Sequence, residues 1–280
     1  MGETMVPAAP ERVIVLDGPM LDACLLLGVT PIGATTGVEN DPWPDYLGDR
    51  TDGIVNVGSI VEPNLELIVS LQPDLIIGVK SRHETIYSQL SEIAPTVFAE
   101  EHRSRWRENF LLFANTLNRE DQVNEVVSNF DERCASIAAQ LADQIETTTV
   151  SVLRLYTDII YAYQIDSFSG SVLDAIGLER PESPSGPEEL AIELSPEQLA
   201  MGDGDVIFLA VWDDPETTNV STLVGNPLWE SLGAVRANRV YLVPDEYWMV
   251  AMGYMAANRI LDDVVAYLID GREPEALPAS

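Results

Sequence analysis

Lysine is almost missing from this sequence: of fifteen basic residues only Lys80 is a lysine, and the rest are arginines. Histidine occurs twice, at His83 and His102, and cysteine twice, at Cys24 and Cys134. A bare transition-metal site usually draws three or four ligands from histidine, cysteine and carboxylate, and this chain offers little besides carboxylates. Both histidines fall in polar segments and read as exposed side chains that ligate nothing. No CxxC is present, and each cysteine lies in a stretch of apolar helical spacing, LDACLLLG or DERCASIAAQL. They read as buried free thiols rather than as a redox pair, a zinc site or a long-range disulfide. No apolar run reaches the roughly eighteen residues of a membrane-spanning helix. The opening MGETMVPAAPERVIVLD has no basic region followed by an apolar core, so no signal peptide is read there. It suits either a cytosolic start or a chain whose export signal has been removed.

Catalytic signatures are missing as well. No GxGxxG follows a strand-like run, and Gly202-Asp203-Gly204-Asp205 precedes one and reads as a turn. There is no phosphate-binding GxxxxGK followed by Ser or Thr, and no GxSxG nucleophile turn. The pairs Asp213-Asp214 and Asp262-Asp263 could serve acid–base chemistry, but among 46 acidic residues such pairs arise by chance. No constellation supports an enzyme.

What is present in excess is negative charge. The 280 residues carry a formal net charge of -31. A surface that acidic repels nucleic-acid phosphates and anionic lipid headgroups, which excludes both as partners. It also fits a protein adapted to a salty exterior, where screening relieves self-repulsion, or a solvated surface kept for solubility.

The length suits two lobes of roughly 120–150 residues, each able to bury a core. In the first half, apolar β-branched runs (Val13–Leu16, Ile32–Ala34, Leu75–Val79, Thr96–Phe98) alternate with helical spacing (Met20–Leu27, Asn64–Leu71, Ile86–Ile93). Such alternation predicts parallel sheet with crossover helices. From about Ser104 to Glu146 there is neither proline nor glycine, and apolar positions recur every three to four residues. The spacing predicts helix, broken near Asn118–Asp121 with Asn118 or Asp121 as N-cap. The second piece, about 25 residues, would span nearly 40 Å and reads as a connecting spine. The second half resumes with strands at Val150–Tyr156, Val206–Val211 and Val240–Val243. Helices are expected at Ser171–Ile176, Pro196–Met201, Leu228–Leu232 and Met252–Leu268. The division expected is thus an α/β lobe over 1–118, a spine helix over 119–147 and a second α/β lobe over 148–280.

In open α/β sheets ligands gather at the carboxyl ends of strands. Those ends carry Lys80 and Arg82 after Leu75–Val79, Arg154 and Tyr156 at the end of Val150–Tyr156, and Trp212 after Val206–Val211. Tyr247 and Trp248 follow Val240–Val243, and Trp43 lies in a long early loop. A single tryptophan after a strand is as readily a core plug, but cations and aromatics recurring at one edge of both halves suit an anionic, partly aromatic ligand.

With these features in place, the chain resembles the substrate-binding proteins of iron–siderophore ABC importers, a family that includes haem and vitamin B12 receptors. The resemblance rests on VPAAPERVIVLD, VGSIVEPNLELIVSLQPDLIIG, SEIAPTVF, SRWRENFLLFANTLNRED, VSVLRLY, SFSGSVLDAIGL and IELSPEQLAMGDGDVIFLA. NPLWESLGAVRANRVYLVPDEYW and AANRILDDV complete a set that covers nearly the whole chain in family order.

The resemblance implies two Rossmann-like α/β lobes joined by one long helix, the class III periplasmic-binding-protein architecture. It implies a monomeric, extracytoplasmic protein, periplasmic or lipid-anchored at the surface, that binds a ferric siderophore between its lobes and delivers it to an ABC permease. Iron would be held by the siderophore, with no cofactor and no direct protein ligand. Glu66 in PNLELI (with Glu62 as a neighbour) and Glu197 in SPEQL are the implied permease-docking acids. Arg154 and Trp248 match positions that commonly line the family's cleft. Trp43, Arg82, Arg105, Tyr156 and Trp212 are expected there from strand-end placement. MVAMGY after Trp248 stands where relatives often have a glycine-rich turn. A haem or corrinoid receptor of the same fold, with Tyr156 or Met249 as axial ligand, is the alternative reading. A cytosolic α/β enzyme is the alternative from another class.

Overall fold

The computed structural model describes residues 2–37, 43–101, 105–156, 159–181, 189–212 and 220–277. His102, the Asp213-Asp214 pair and most of the proline-rich stretch 181–187 therefore lie outside the described residues. The chain divides into two units, Met1–Asn129 with Ala251–Ala256, and Phe130–Val250 with Ala257–Ser280.

In the first unit, β1 (Val13–Val15), β2 (Gly33–Thr36), β3 (Val55–Ser59), β4 (Leu75–Val79) and β5 (Thr96–Ala99) form one sheet in the order β3-β2-β1-β4-β5. Every pairing is parallel. All residues of β1 and β4 are buried, as expected of strands covered on both faces by crossover helices. The helix Gly18–Leu26 starts where Asp17 accepts from the Gly18 N–H, with Pro19 in its first turn. The helix Leu65–Ser70 starts where the Asn64 side chain accepts from the Leu67 N–H. Ile14, Leu16, Val57, Ile68, Ile76 and Leu90 form a common core cluster. Sequence reading did not anticipate β3, whose exposed Val55 and Asn56 weaken its apolar run.

The proline- and glycine-free region divides as the sequence suggests, into helices Trp106–Thr116 and Glu120–Ile145. The capping expectation is corrected at Asn118. It takes a left-handed φ of 54° just past the first helix, where asparagine closes a helix end rather than opening the next one. The second helix is 26 residues long, and the division between the units falls within it.

In the second unit, β6 (Val150–Tyr156), β7 (Ile159–Tyr163), β8 (Ala191–Leu194), β9 (Val206–Val211) and β10 (Val240–Val243) run in the order β10-β9-β6-β7-β8. This sheet is mixed: β10, β9 and β6 pair in parallel. β7 pairs antiparallel with both β6 and β8. Too few residues separate β6 from β7 for a crossover, so the chain must double back. Neither β7 nor β8 was read from the sequence. Apolar residues of β6, β9 and β10 pack with Val220, Leu223, Trp229 and Leu232 into this unit's core.

Candidate functional site

In the second unit five polar or aromatic side chains come together around the carboxyl ends of β6 and β9. Arg154 points from β6 and is forked onto Asp245, which follows β10: Nε reaches Oδ1 at 2.6 Å and Nη2 reaches Oδ2 at 2.6 Å. Its Nη1 donates to the Tyr163 hydroxyl at 3.4 Å. The guanidinium carbon lies 4.7 Å from the centre of the Trp212 ring, within cation–π range. Trp212 extends the parallel ladder by donating its backbone N–H to Leu155 O at 2.8 Å. Tyr156, 41% exposed, tilts against Trp212 with ring centres 5.3 Å apart. Burial acts against the Arg154 charge, but the fork with Asp245 outweighs it and raises the pKa. Arg154 is therefore a permanently charged, pre-positioned fork whose charge is already balanced.

Trp248 is placed otherwise than expected. It is fully buried, its ring centre is 4.7 Å from that of Phe208, and its indole N–H donates to Asp263 Oδ2 at 2.8 Å. The wide helical turn Glu246–Val250 directs it inward, so it is a core plug with its one donor already used. Met249, the candidate axial ligand for haem, is buried in the same turn.

In the first unit, the sheet order reverses at β1 and β4, the switch point where open α/β sheets place ligands. Arg82, just after β4, holds Asp17, just after β1, with Nε to Oδ2 at 2.9 Å. Lys80 reaches Glu100, after β5, at 2.6 Å. Trp43 is half-buried and donates its indole N–H to Thr35 O at 3.2 Å. Arg105 is exposed at the start of helix Trp106–Thr116, its backbone N–H donating to Glu101 at 3.0 Å. The structure thus gathers Arg154, Tyr156 and Trp212 in one cluster and places Arg82 at the switch point of the other sheet.

His83 is not exposed, which corrects the sequence reading. The short helix Lys80–His83 turns it inward, where Nδ1 accepts from the Val79 N–H at 3.3 Å and Nε2 donates to Ile60 O at 3.0 Å. Those partners fix the neutral tautomer with the proton on Nε2, and burial lowers its pKa. Cys24 and Cys134 are buried thiols outside any disulfide. Among the described residues no three histidine, cysteine or acidic side chains are grouped to hold a metal ion, and no helix is long and apolar enough to cross a membrane.

Glu66 is exposed in the first turn of helix Leu65–Ser70. Glu197 is exposed in the turn Pro196–Gly202, which opens on a Ser195–Gln198 capping box. The carboxyl of Glu197 is held below its ordinary range by its own backbone N–H and by the Ser195 hydroxyl. Sequence reading missed Asp245 and Tyr163. Asp245 follows a strand just as Trp212 does, but one acid among 46 carried no signal without its arginine in view.

A family model described as periplasmic binding protein matches residues 13–247. The probable siderophore-binding lipoprotein YfiY of Bacillus subtilis is 39% identical over 274 residues, 94% of this chain and 84% of the relative. The achromobactin-binding periplasmic protein of Dickeya dadantii is 30% identical, over 91% of this chain and 85% of its own. Among solved structures, Staphylococcus aureus SirA complexed with staphyloferrin B superposes with a TM-score of 0.85 at 27% identity, covering 96% of each chain.

Proposed function

Because this chain belongs to the periplasmic binding protein family, we propose that it captures a ferric-siderophore complex outside the cytoplasm and delivers it to the permease of an ABC importer. The observation that carries this reading is the cluster of Arg154, Trp212 and Tyr156 at one strand edge, in a chain closely similar to relatives named for siderophore binding. A forked guanidinium offers charge-assisted hydrogen bonds to chelate oxygens, and the adjacent rings offer apolar contact. Asp245 and Tyr163 hold the fork in place, so little ordering is needed on binding. Arg82, Arg105 and Trp43 are the ligand contacts proposed on the first unit, and Trp248 serves in the core of the second. The siderophore carries the iron, so protein atoms need not ligate it.

Glu66 and Glu197 are the proposed permease contacts, exposed acids suited to arginines on a membrane partner. The protein works as a monomer, tethered by a lipid anchor in the manner of its relatives named lipoproteins. Tryptophan quenching against a panel of ferric siderophores, haem and cobalamin tests the ligand. Ferric siderophores should bind at micromolar concentrations or below, and failure of all of them would overturn the reading. Arg154→Ala and Trp212→Ala should each weaken binding about tenfold, the loss of one charge-assisted or stacking contact. Glu66→Ala and Glu197→Ala should leave affinity unchanged and slow uptake.

A further inference from the structure

Arg154 is the cation at the strand edge of the second unit, yet it is held by a carboxylate of opposite sign. Its Nε and Nη2 donate to the two Asp245 oxygens at 2.6 Å each, and both oxygens accept, as an ionised carboxylate does. Burial raises the Asp245 carboxyl, and the Arg154 fork opposes that rise. The two side chains are equally enclosed, each 14% exposed, so solvent screens neither more than the other. A few ångströms away their fields largely cancel.

The neighbouring sequence adds no positive charge. The segments that follow the parallel strands of this unit, 157–158, 213–219 and 244–250, hold Asp158, Asp213, Asp214, Glu216 and Glu246 besides Asp245, and no lysine, arginine or histidine. In the first unit Arg82 is matched likewise, its Nε 2.9 Å from Asp17 Oδ2. Exposed Arg105 is the third cation among the proposed contacts.

What the Arg154 cluster offers is therefore polarity without net charge. A guanidinium has five N–H donors. Two of them go to Asp245 and one to the Tyr163 hydroxyl, which leaves two for a ligand among the described residues. A neutral oxygen acceptor uses those donors in full and packs on Trp212 and Tyr156. An anionic group gains from Arg154 about what it loses to Asp245, and it still gives up its water.

Resting on the ferric-siderophore reading, we infer that Asp245 acts as a charge filter, making this protein select ferric chelates of little or no net negative charge, of the hydroxamate type, over polyanionic ones. Asp245 thus sets specificity through Arg154, beyond holding the fork in position.

Tryptophan-quenching titrations with a neutral ferric trishydroxamate and a polyanionic ferric triscatecholate test the filter. They are run at about 1 M sodium chloride, where the Debye length falls to about 3 Å and the field of the whole acidic chain is screened. The natural protein should bind the trishydroxamate at least about tenfold more tightly. In Asp245→Asn the ratio of the two affinities should move towards the triscatecholate by at least about tenfold. A purely structural role would weaken both chelates alike, so an unchanged ratio would overturn the inference. A natural protein that prefers the triscatecholate would overturn it too, while leaving the ferric-siderophore reading intact. Should Asp245→Asn fail to fold, Asp245→Ser and the ranking in the natural protein decide the matter. Binding of neither chelate, nor of any other ferric siderophore, would overturn the underlying reading and this inference with it.

Discussion

Asp22 should make the stability of this protein depend on mild acidification in a direction opposite to that of most carboxylates. It is fully buried in helix Gly18–Leu26 and accepts from the backbone N–H groups of Met255 (3.1 Å) and Ala256 (3.0 Å) and from the Tyr46 hydroxyl (3.2 Å). It thereby caps the first turn of helix Tyr254–Val264 from another part of the sequence. Desolvation outweighs these bonds and raises its pKa from 3.8 to about 6. The folded state therefore binds this proton more tightly than the unfolded chain does. The stabilisation is fully present below the unfolded value and is lost as pH rises through the folded one. Each pKa unit corresponds to about 1.4 kcal/mol, so the whole effect approaches roughly 3 kcal/mol, with about half gained between pH 7 and pH 5.

The other acids of a strongly negative chain also respond to pH, so the measurement is a difference. Urea denaturation of the natural protein and of Asp22→Asn should be followed from pH 7.5 to pH 4.5. Asparagine cannot titrate, and its amide presents a donor where the carboxylate accepted, so the variant should be less stable wherever Asp22 is protonated. The stability gap should widen by roughly 1.5 kcal/mol from pH 7 to pH 5 and continue to widen towards pH 4.5. A gap constant across that window, or one that narrows on acidification, would refute the reasoning.

Trp248→Ala should cost roughly 3–5 kcal/mol of stability, because it empties the contact with Phe208 and strips Asp263 of a donor. Denaturant titration checks this, and a loss below about 1 kcal/mol would return Trp248 to the surface. Cys24, whose thiol burial pushes up to about 12, should resist aromatic disulfide reagents at pH 8 in the folded protein, as should buried Cys134. Both should react after unfolding; rapid titration of a native thiol would contradict the burial.

Much of this protein was legible in its sequence because the signals are local. The run LIIGV can satisfy its side chains only as a strand buried on both faces, and it forms β4 without a shift of boundary. The stretch without proline or glycine read as helix broken near Asn118–Asp121, and it forms two helices with the break there, although the left-handed turn at Asn118 was not legible. Strand-end placement also put Arg154, Tyr156 and Trp212 at one edge, and the structure clusters them there, since parallel strands direct their carboxyl ends to one edge.

What the sequence left open depends on partners remote along the chain. That Arg154 is already balanced is decided by Asp245, 91 positions away. That His83 is buried depends on Ile60 O, and that Trp248 is a core plug depends on Phe208 and Asp263. Gly253 shows the same limit. A Cβ there would lie 2.3 Å from the Asp22 carboxyl carbon, a constraint that exists only once two distant segments meet. Composition and periodicity determined the central buried strands and the long helices, because each residue's polarity and each element's repeat act locally. Charge balance, tautomer and the fate of each buried polar group were decided by tertiary structure, because low-dielectric interactions act over a few ångströms of space regardless of distance along the chain.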